Sequence, residues 1–185
     1  MKTFSFAVAA TLCLILPACA GVDQKDRLPT VSSVDLARYA GTWYEIARLP
    51  MRFQRHCVDL KAIYTNRSDG SVGVHNECVT DSGGVEQAEG VATVLDTTTN
   101  ARLTVVFDNV FARLLGSSRE GNYWILDLDP EYRTALVGTP DRRYLWMLSR
   151  APQLDEATYR SLVERARRLS CSVSDLIRAR RPASS

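Results

Sequence analysis

The residue types able to do nucleophilic or soft-metal chemistry are five cysteines and two histidines, and they are sparsely placed. His56 adjoins Cys57, and an imidazole that met a thiol could lower its pKa and make a thiolate nucleophile. Sequence neighbours on a strand, however, point to opposite faces, so this pair is weak evidence for catalysis. His56 and His75 are the only histidines, and they form no zinc-ligand spacing with the cysteines. The chain has neither a Gly-x-Ser-x-Gly motif nor a phosphate loop. These residues lead to the expectation of no enzyme, no catalytic residues, no metal and no cofactor.

Two cysteines belong to the first part of the chain. Lys2 is followed by an apolar run over residues 4–16. A run of roughly 13 residues is shorter than the ~20 that cross a bilayer as a helix, and has the length of a signal-peptide core. Leu16-Pro17-Ala18-Cys19 resembles the lipobox of bacterial lipoproteins. That resemblance implies cleavage before Cys19 and acylation of its sulfur and amine, with the acyl chains as the membrane attachment. Pro17 departs from the small residue usual there, and an ordinary secretory signal with Cys19 as a spare thiol stays open. Ala20 stands where an aspartate would signal inner-membrane retention, which implies the outer membrane, with the protein facing the periplasm.

Cys57, Cys78 and Cys171 remain for the folded part. In an oxidising compartment a nearby pair bridges by default. A two-residue turn at Asp69-Gly70 would leave Cys57 four residues out of register with Cys78, so a Cys57–Cys78 bridge needs a bulge or a bent strand. That bridge is the favoured pairing, with Cys171 left as a buried free thiol.

The elements that must position these residues are mostly short alternating runs. Strands are expected over 43–49, 58–65, 71–79, 85–95, 103–107, 123–128, 134–137 and 144–149, with turn residues such as Asp69-Gly70, Asp129-Pro130 and Thr139-Pro140-Asp141 between them. Over 155–169 the apolar residues Ala157, Leu162, Val163, Ala166 and Leu169 fall near helical spacing, with acidic residues first and arginines last. A ninth short strand is expected near 176–179. The reading is all-β: an eight-stranded up-and-down antiparallel barrel with one C-terminal helix on its side. The expected organisation is a signal peptide over 1–18, a lipidated cysteine and tether over 19–32, the barrel over 33–180, and a tail over 181–185. Of the 23 Lys and Arg residues Lys2 lies in the leader, so 22 face 21 acidic residues. That balance speaks against a nucleic-acid partner, which calls for a basic stripe.

An eight-stranded barrel is wide enough either to be filled by side chains or to hold one small ligand. In the second run Val58, Leu60, Ala62 and Tyr64 share a face opposite Asp59 and Lys61, and Ala62 leaves space. An apolar interior with room in it follows. Over 144–150 both parities are largely apolar, so that strand does not declare its inner face.

Residues 33–48, with Gly41 and Trp43 as a Gly-x-Trp pair, resemble the opening of the lipocalin family. Asp129 to Val137 resembles the family's second signature, loosely, and Trp146-Met147-Leu148-Ser149-Arg150 its third. Trp43-Tyr44-Glu45-Ile46-Ala47-Arg48 together with the lipobox is most like the bacterial outer-membrane lipoprotein members. The resemblance implies that Arg150 lies across Trp43 and plugs the narrow end as a structural frame. If Arg150 points inward, Leu148, Trp146 and Tyr144 share its parity; if Trp43 does, so do Glu45 and Ala47. Candidate ligand-binding residues are Trp146, Tyr144, Glu45, Tyr64, Phe107 and Tyr123. For Glu45 an internal pair with an arginine or tyrosine is preferred over a headgroup anchor.

The implied function is binding, storage or transport of a fatty acid, lysophospholipid or similar lipid. The alternatives are a non-catalytic envelope scaffold and, by analogy with one animal subgroup, a cysteine-dependent isomerase. Met51, Phe53 and the apolar stretch 111–115 are placed at the open mouth. For that stretch, membrane contact, contact with a second copy (a homodimer) and folding over the mouth all remain open.

Overall fold

The computed structural model describes residues 28–108 and 119–181. A short helix α1 (Leu36–Tyr39) leads into eight strands in chain order. These are β1 (Gly41–Arg48), β2 (Cys57–Asn66), β3 (Val72–Thr80), β4 (Val85–Val94), β5 (Arg102–Phe107), β6 (Tyr123–Leu128), β7 (Thr134–Gly138) and β8 (Leu145–Ser149). Helix α2 (Glu156–Arg168) and a two-residue strand β9 (Ile177–Arg178) follow. From β1 to β8 each strand pairs antiparallel with the next, and β1 pairs with both β8 and β2, which closes the sheet into an up-and-down barrel. The sequence-based architecture and the helix on its side are what the structure shows.

β1 belongs to two neighbours in turn. Its first half, Gly41 to Tyr44, pairs with β2, and its second half pairs with β8. The edge thereby freed is covered by β9, where Ala47 pairs with Arg178 and the Ala179 N–H donates to the Ile46 carbonyl. Covering that edge removes a template for pairing with other chains. A β-bulge between Glu45 and Ala47 then changes the parity of the strand. Trp43 and Glu45 face inward, Ile46 and Ala47 both join the core outside the barrel, and Arg48, opposite Trp146, faces inward again. Simple alternation, which turned Ala47 inward, fails here because the bulge inserts a residue.

The β2–β3 hairpin also departs from expectation. The last ladder pair is Asn66 with Val72, and Arg67 N–H donates to the Ser71 carbonyl around a three-residue loop. Gly70 holds φ +81° there, a left-handed conformation that glycine adopts without steric cost. Leu60 rather than Lys61 consequently stands opposite Cys78.

Two cores result. Inside the barrel lie Trp43, Tyr64, Val74, Leu103, Val105, Ile125, Val137 and Leu148. Outside it, α2 buries Leu162 and Ala166 against Ile46, Trp124, Leu136, Leu145 and Met147. Asp155 caps α2 by accepting the Thr158 N–H at 2.9 Å, and its last turn carries Arg165, Arg167 and Arg168, which suit the negative end of the helix dipole. This outer core explains the two apolar faces of β8: Leu145 and Met147 meet the helix while Trp146 and Leu148 face the interior.

Candidate functional site

The narrow end is built around Trp43, which is fully buried. Its indole N–H donates to the Tyr39 carbonyl at 2.8 Å, and the Arg150 guanidinium lies 4.1 Å from its ring centroid. Arg150 donates to the carbonyls of Thr42, Arg38, Tyr39, Ala40 and Tyr132, so one side chain ties α1, β1 and the turn before β7 together. Gly41 permits this: at φ +96° it occupies a region L-residues avoid, and a Cβ there would sit 3.2 Å from Arg150 Nη1.

Above this plug is a chain of three tyrosine hydroxyls. Tyr39 and Tyr123 are 2.8 Å apart, and Tyr123 donates to Tyr64 at 2.9 Å. Burial pushes the Tyr64 phenol up to about 12 and holds Tyr39 and Tyr123 well above the usual tyrosine value, so all three stay protonated.

From here the barrel opens into a cavity lined by Leu60, Ala62, Tyr64, Val74, Val105, Phe107, Tyr123, Trp146 and Leu148, with Asn76, Asn122, Phe53 and Gln54. A second space adjoins it toward the mouth, sharing Phe53, Gln54, Leu60, Asn76 and Phe107 and adding the Cys57–Cys78 pair, Glu86, Gln87 and Ala88. Among the described residues no lysine or arginine lines either space. Trp146 donates its indole N–H to Gln54 Oε1 at 3.2 Å, which fastens the mouth segment to the cavity wall.

Four of the six candidate ligand residues, Trp146, Tyr64, Phe107 and Tyr123, therefore line the cavity. Tyr144 does not. It precedes β8 and packs edge-on against Phe53 with ring centroids 5.5 Å apart, at the rim rather than on the wall. Glu45 does not line it either. The bulge brings Arg48 to the same face, and Arg48 Nη1 donates to Glu45 Oε1 at 2.8 Å with both side chains almost wholly buried. Arg48 Nη2 donates to the carbonyls of Gln54 and Cys57 and so anchors the mouth segment from beneath. Burial outweighs the arginine and raises the Glu45 pKa.

Asn76, Gln54 and Asn122 are lining residues that sequence reasoning missed. For Asn76 the signal was a polar side chain on the apolar parity of Val72, Val74 and Cys78. For Gln54, in a 3-10 turn (Arg52–Gln54), there was none. Asn122 bonds both the N–H and the carbonyl of Val105, standing in for ladder bonds where β5 and β6 pair over only two residues. Met51 is buried and Phe53 lines both spaces, whereas 111–115 lies outside the described residues.

Cys57 and Cys78 are joined by a disulfide with Cα atoms 5.5 Å apart. A bulge between Cys57 and Asp59 turns Cys57 to the face of Leu60, which makes the bridge reachable. In this state neither sulfur is a thiolate, and His56 pairs loosely with Asp81 at 3.5 Å on the surface. Cys171 is a buried free thiol beside α2, and burial pushes its pKa up. Among the described residues no group of three or more His, Cys, Asp or Glu side chains could hold a metal ion. Replacing both bridged cysteines by serine is expected to cost about 3 kcal/mol, because the unfolded chain regains the freedom of a closed loop. Urea denaturation of the two proteins measures it, and equal midpoints would refute the bridge's contribution.

Comparison with known proteins agrees with this construction. The lipocalin-like domain profile matches residues 34–181. The chain is 36% identical over 185 residues to the outer membrane lipoprotein Blc of Escherichia coli, covering 100% of each. It is 41% identical over 146 residues to temperature-induced lipocalin-1 of Arabidopsis thaliana, covering 77% of each. Among solved structures, insecticyanin of the tobacco hornworm Manduca sexta superposes with a TM-score of 0.62 at 20% identity, covering 84% of this chain and 85% of that one, a likeness of fold alone. With a profile match across the whole barrel and a relative aligned end to end, the chain belongs to the lipocalin family.

Proposed function

We propose that this protein binds a single-chain amphiphile, a fatty acid or lysophospholipid, in the barrel cavity, and is held at the bacterial outer membrane, facing the periplasm, by acyl chains on Cys19. The observation that carries the reading is the cavity itself: aliphatic and aromatic walls above a closed floor, with no basic side chain among the described lining residues to hold an anion inside. A hydrocarbon chain fits that chemistry, with its headgroup left at the mouth. Each buried methylene contributes about 0.8 kcal/mol, so ~12 carbons suffice for micromolar affinity after association costs. Glu86, on the outer lining, suits the ammonium of a zwitterionic headgroup.

Native mass spectrometry of the soluble domain from Gly21, titrated with lysophospholipid and fatty acid, tests the reading. One-to-one saturable binding is expected, weakened about tenfold in Trp146→Ala by the loss of roughly 1–2 kcal/mol of contact. No binding of any amphiphile at tens of micromolar would refute it and favour an envelope scaffold. Fractionation of cells carrying Cys19→Ser tests the anchor separately, with loss from the outer-membrane fraction as the expected result.

A further inference from the structure

The cavity wall carries a polar pair that the packing of the protein leaves unmatched. Asn76 lines both the inner and the outer space, and its Oδ1 is buried without a hydrogen-bond partner among the described residues. An acceptor sealed from water without a partner costs roughly 1–3 kcal/mol, so a native structure that keeps one invites a partner from outside the chain.

The complementary donor follows from counting hydroxyl protons. Tyr123 donates its only proton to Tyr64, so the contact between Tyr39 and Tyr123 must use the proton of Tyr39. The Tyr64 proton is then left over, on a side chain that is 7% exposed and lines the same cavity. The two groups are also neighbours in the sheet. Asn76 stands opposite Ala62, and Tyr64 is two residues along β2 on the same face. Such diagonal positions have Cβ atoms about 7–8 Å apart, within reach of a common group for a side chain as long as tyrosine. Ala62 between them supplies the room.

A group that donates to Asn76 Oδ1 and accepts from Tyr64 Oη is a hydroxyl. Resting on the reading that the cavity holds an amphiphile's chain, we infer that Asn76 and Tyr64 form a hydroxyl-recognition subsite that selects a hydroxylated acyl chain over an unsubstituted one. Asn76 lies two residues below Cys78, or roughly 7 Å along the strand. The hydroxyl recognised is therefore a few carbons from a headgroup seated at the level of the disulfide.

Competition distinguishes this subsite from plain chain burial. The mature protein, purified from membranes and delipidated, is offered equal amounts of tetradecanoic acid and either its 3-hydroxy or its 6-hydroxy derivative, and the ratio of the two complexes is read by native mass spectrometry. The wild type is expected to favour at least one hydroxy acid about fivefold, the worth of one satisfied hydrogen bond. Asn76→Leu is expected to bring that ratio to one or below while still binding tetradecanoic acid, which also shows that the variant is folded. Tyr64→Phe lowers the ratio by a smaller factor, because the hydroxyl keeps its bond to Asn76. A wild-type ratio near one for both hydroxy acids, or a preference that survives Asn76→Leu, overturns the subsite and leaves the ligand-binding reading in place. No saturable binding of any of the three acids overturns both.

Discussion

Replacing Arg150 by methionine is expected to lower the free energy of unfolding by about 3 kcal/mol, without weakening amphiphile binding. The loss has two sources. The guanidinium at 4.1 Å over the Trp43 ring contributes about 0.5–2 kcal/mol, more where water is excluded. The carbonyls of Thr42, Arg38, Tyr39, Ala40 and Tyr132 lose their donor together, and those that water cannot reach lose most. Lysine keeps the charge but has no planar fork, so Arg150→Lys is expected to lose roughly half as much. Crossing Arg150→Met with Trp43→Phe isolates the ring contact: urea denaturation of the four proteins should give a coupling near 1 kcal/mol. Additive losses would assign the whole effect to the carbonyls. Neither residue lines the cavity, so ligand affinity should stay unchanged in Arg150→Met. A parallel loss of affinity would show that the plug shapes the site above it.

How much of this was legible in the sequence depended on which face of each strand meets solvent. β2 and β3 have open outer faces, so Leu60, Ala62 and Tyr64 alternate with Asp59, Lys61 and Ile63 clearly enough to place three wall residues. β8 is covered by α2 outside and by the cavity inside, and its two apolar faces hid the choice that Leu145 and Met147 resolve. Bulges broke parity twice, the second of them the one that the favoured Cys57–Cys78 bridge required. One beside Glu45 turned Ala47 out and Arg48 in; the other turned Cys57 toward Cys78. No local residue type announces either, since both arise where one strand serves two neighbours or bends at the barrel rim. Tyr144 was assigned by parity to a wall that the strand does not reach. Asn76 was overlooked although it is a polar residue on an apolar parity, at a position where packing leaves a hydrogen bond unmade among the described residues.

The second large effect is expected at the buried pair Glu45–Arg48. Arg48→Met should cost about 3–5 kcal/mol at neutral pH, because it strands a carboxylate in the barrel wall. It also frees the Gln54 and Cys57 carbonyls that fasten the mouth segment. The pair is incomplete even in the wild type, since Glu45 Oε2 and Arg48 Nε have no partner among the described residues. Desolvation already raises the Glu45 pKa above 4.5, with Arg48 opposing it. The folded state thus binds this proton more tightly than the unfolded chain. Stability from this group is therefore fully retained below the unfolded value and falls as pH rises through the folded one. Without Arg48 the folded value climbs further, and the window of loss extends upward with it. Thermal unfolding of Arg48→Met should accordingly recover much of its deficit between about pH 8 and about pH 5, while the wild type changes less. Glu45→Gln with Arg48→Met removes both charges and should cost less than Arg48→Met alone at neutral pH. What remains in the double variant measures the carbonyl contacts to the mouth. A penalty in Arg48→Met that does not change with pH would show that the stranded carboxylate is not its source, and would move the whole effect to the anchoring of Gln54 and Cys57.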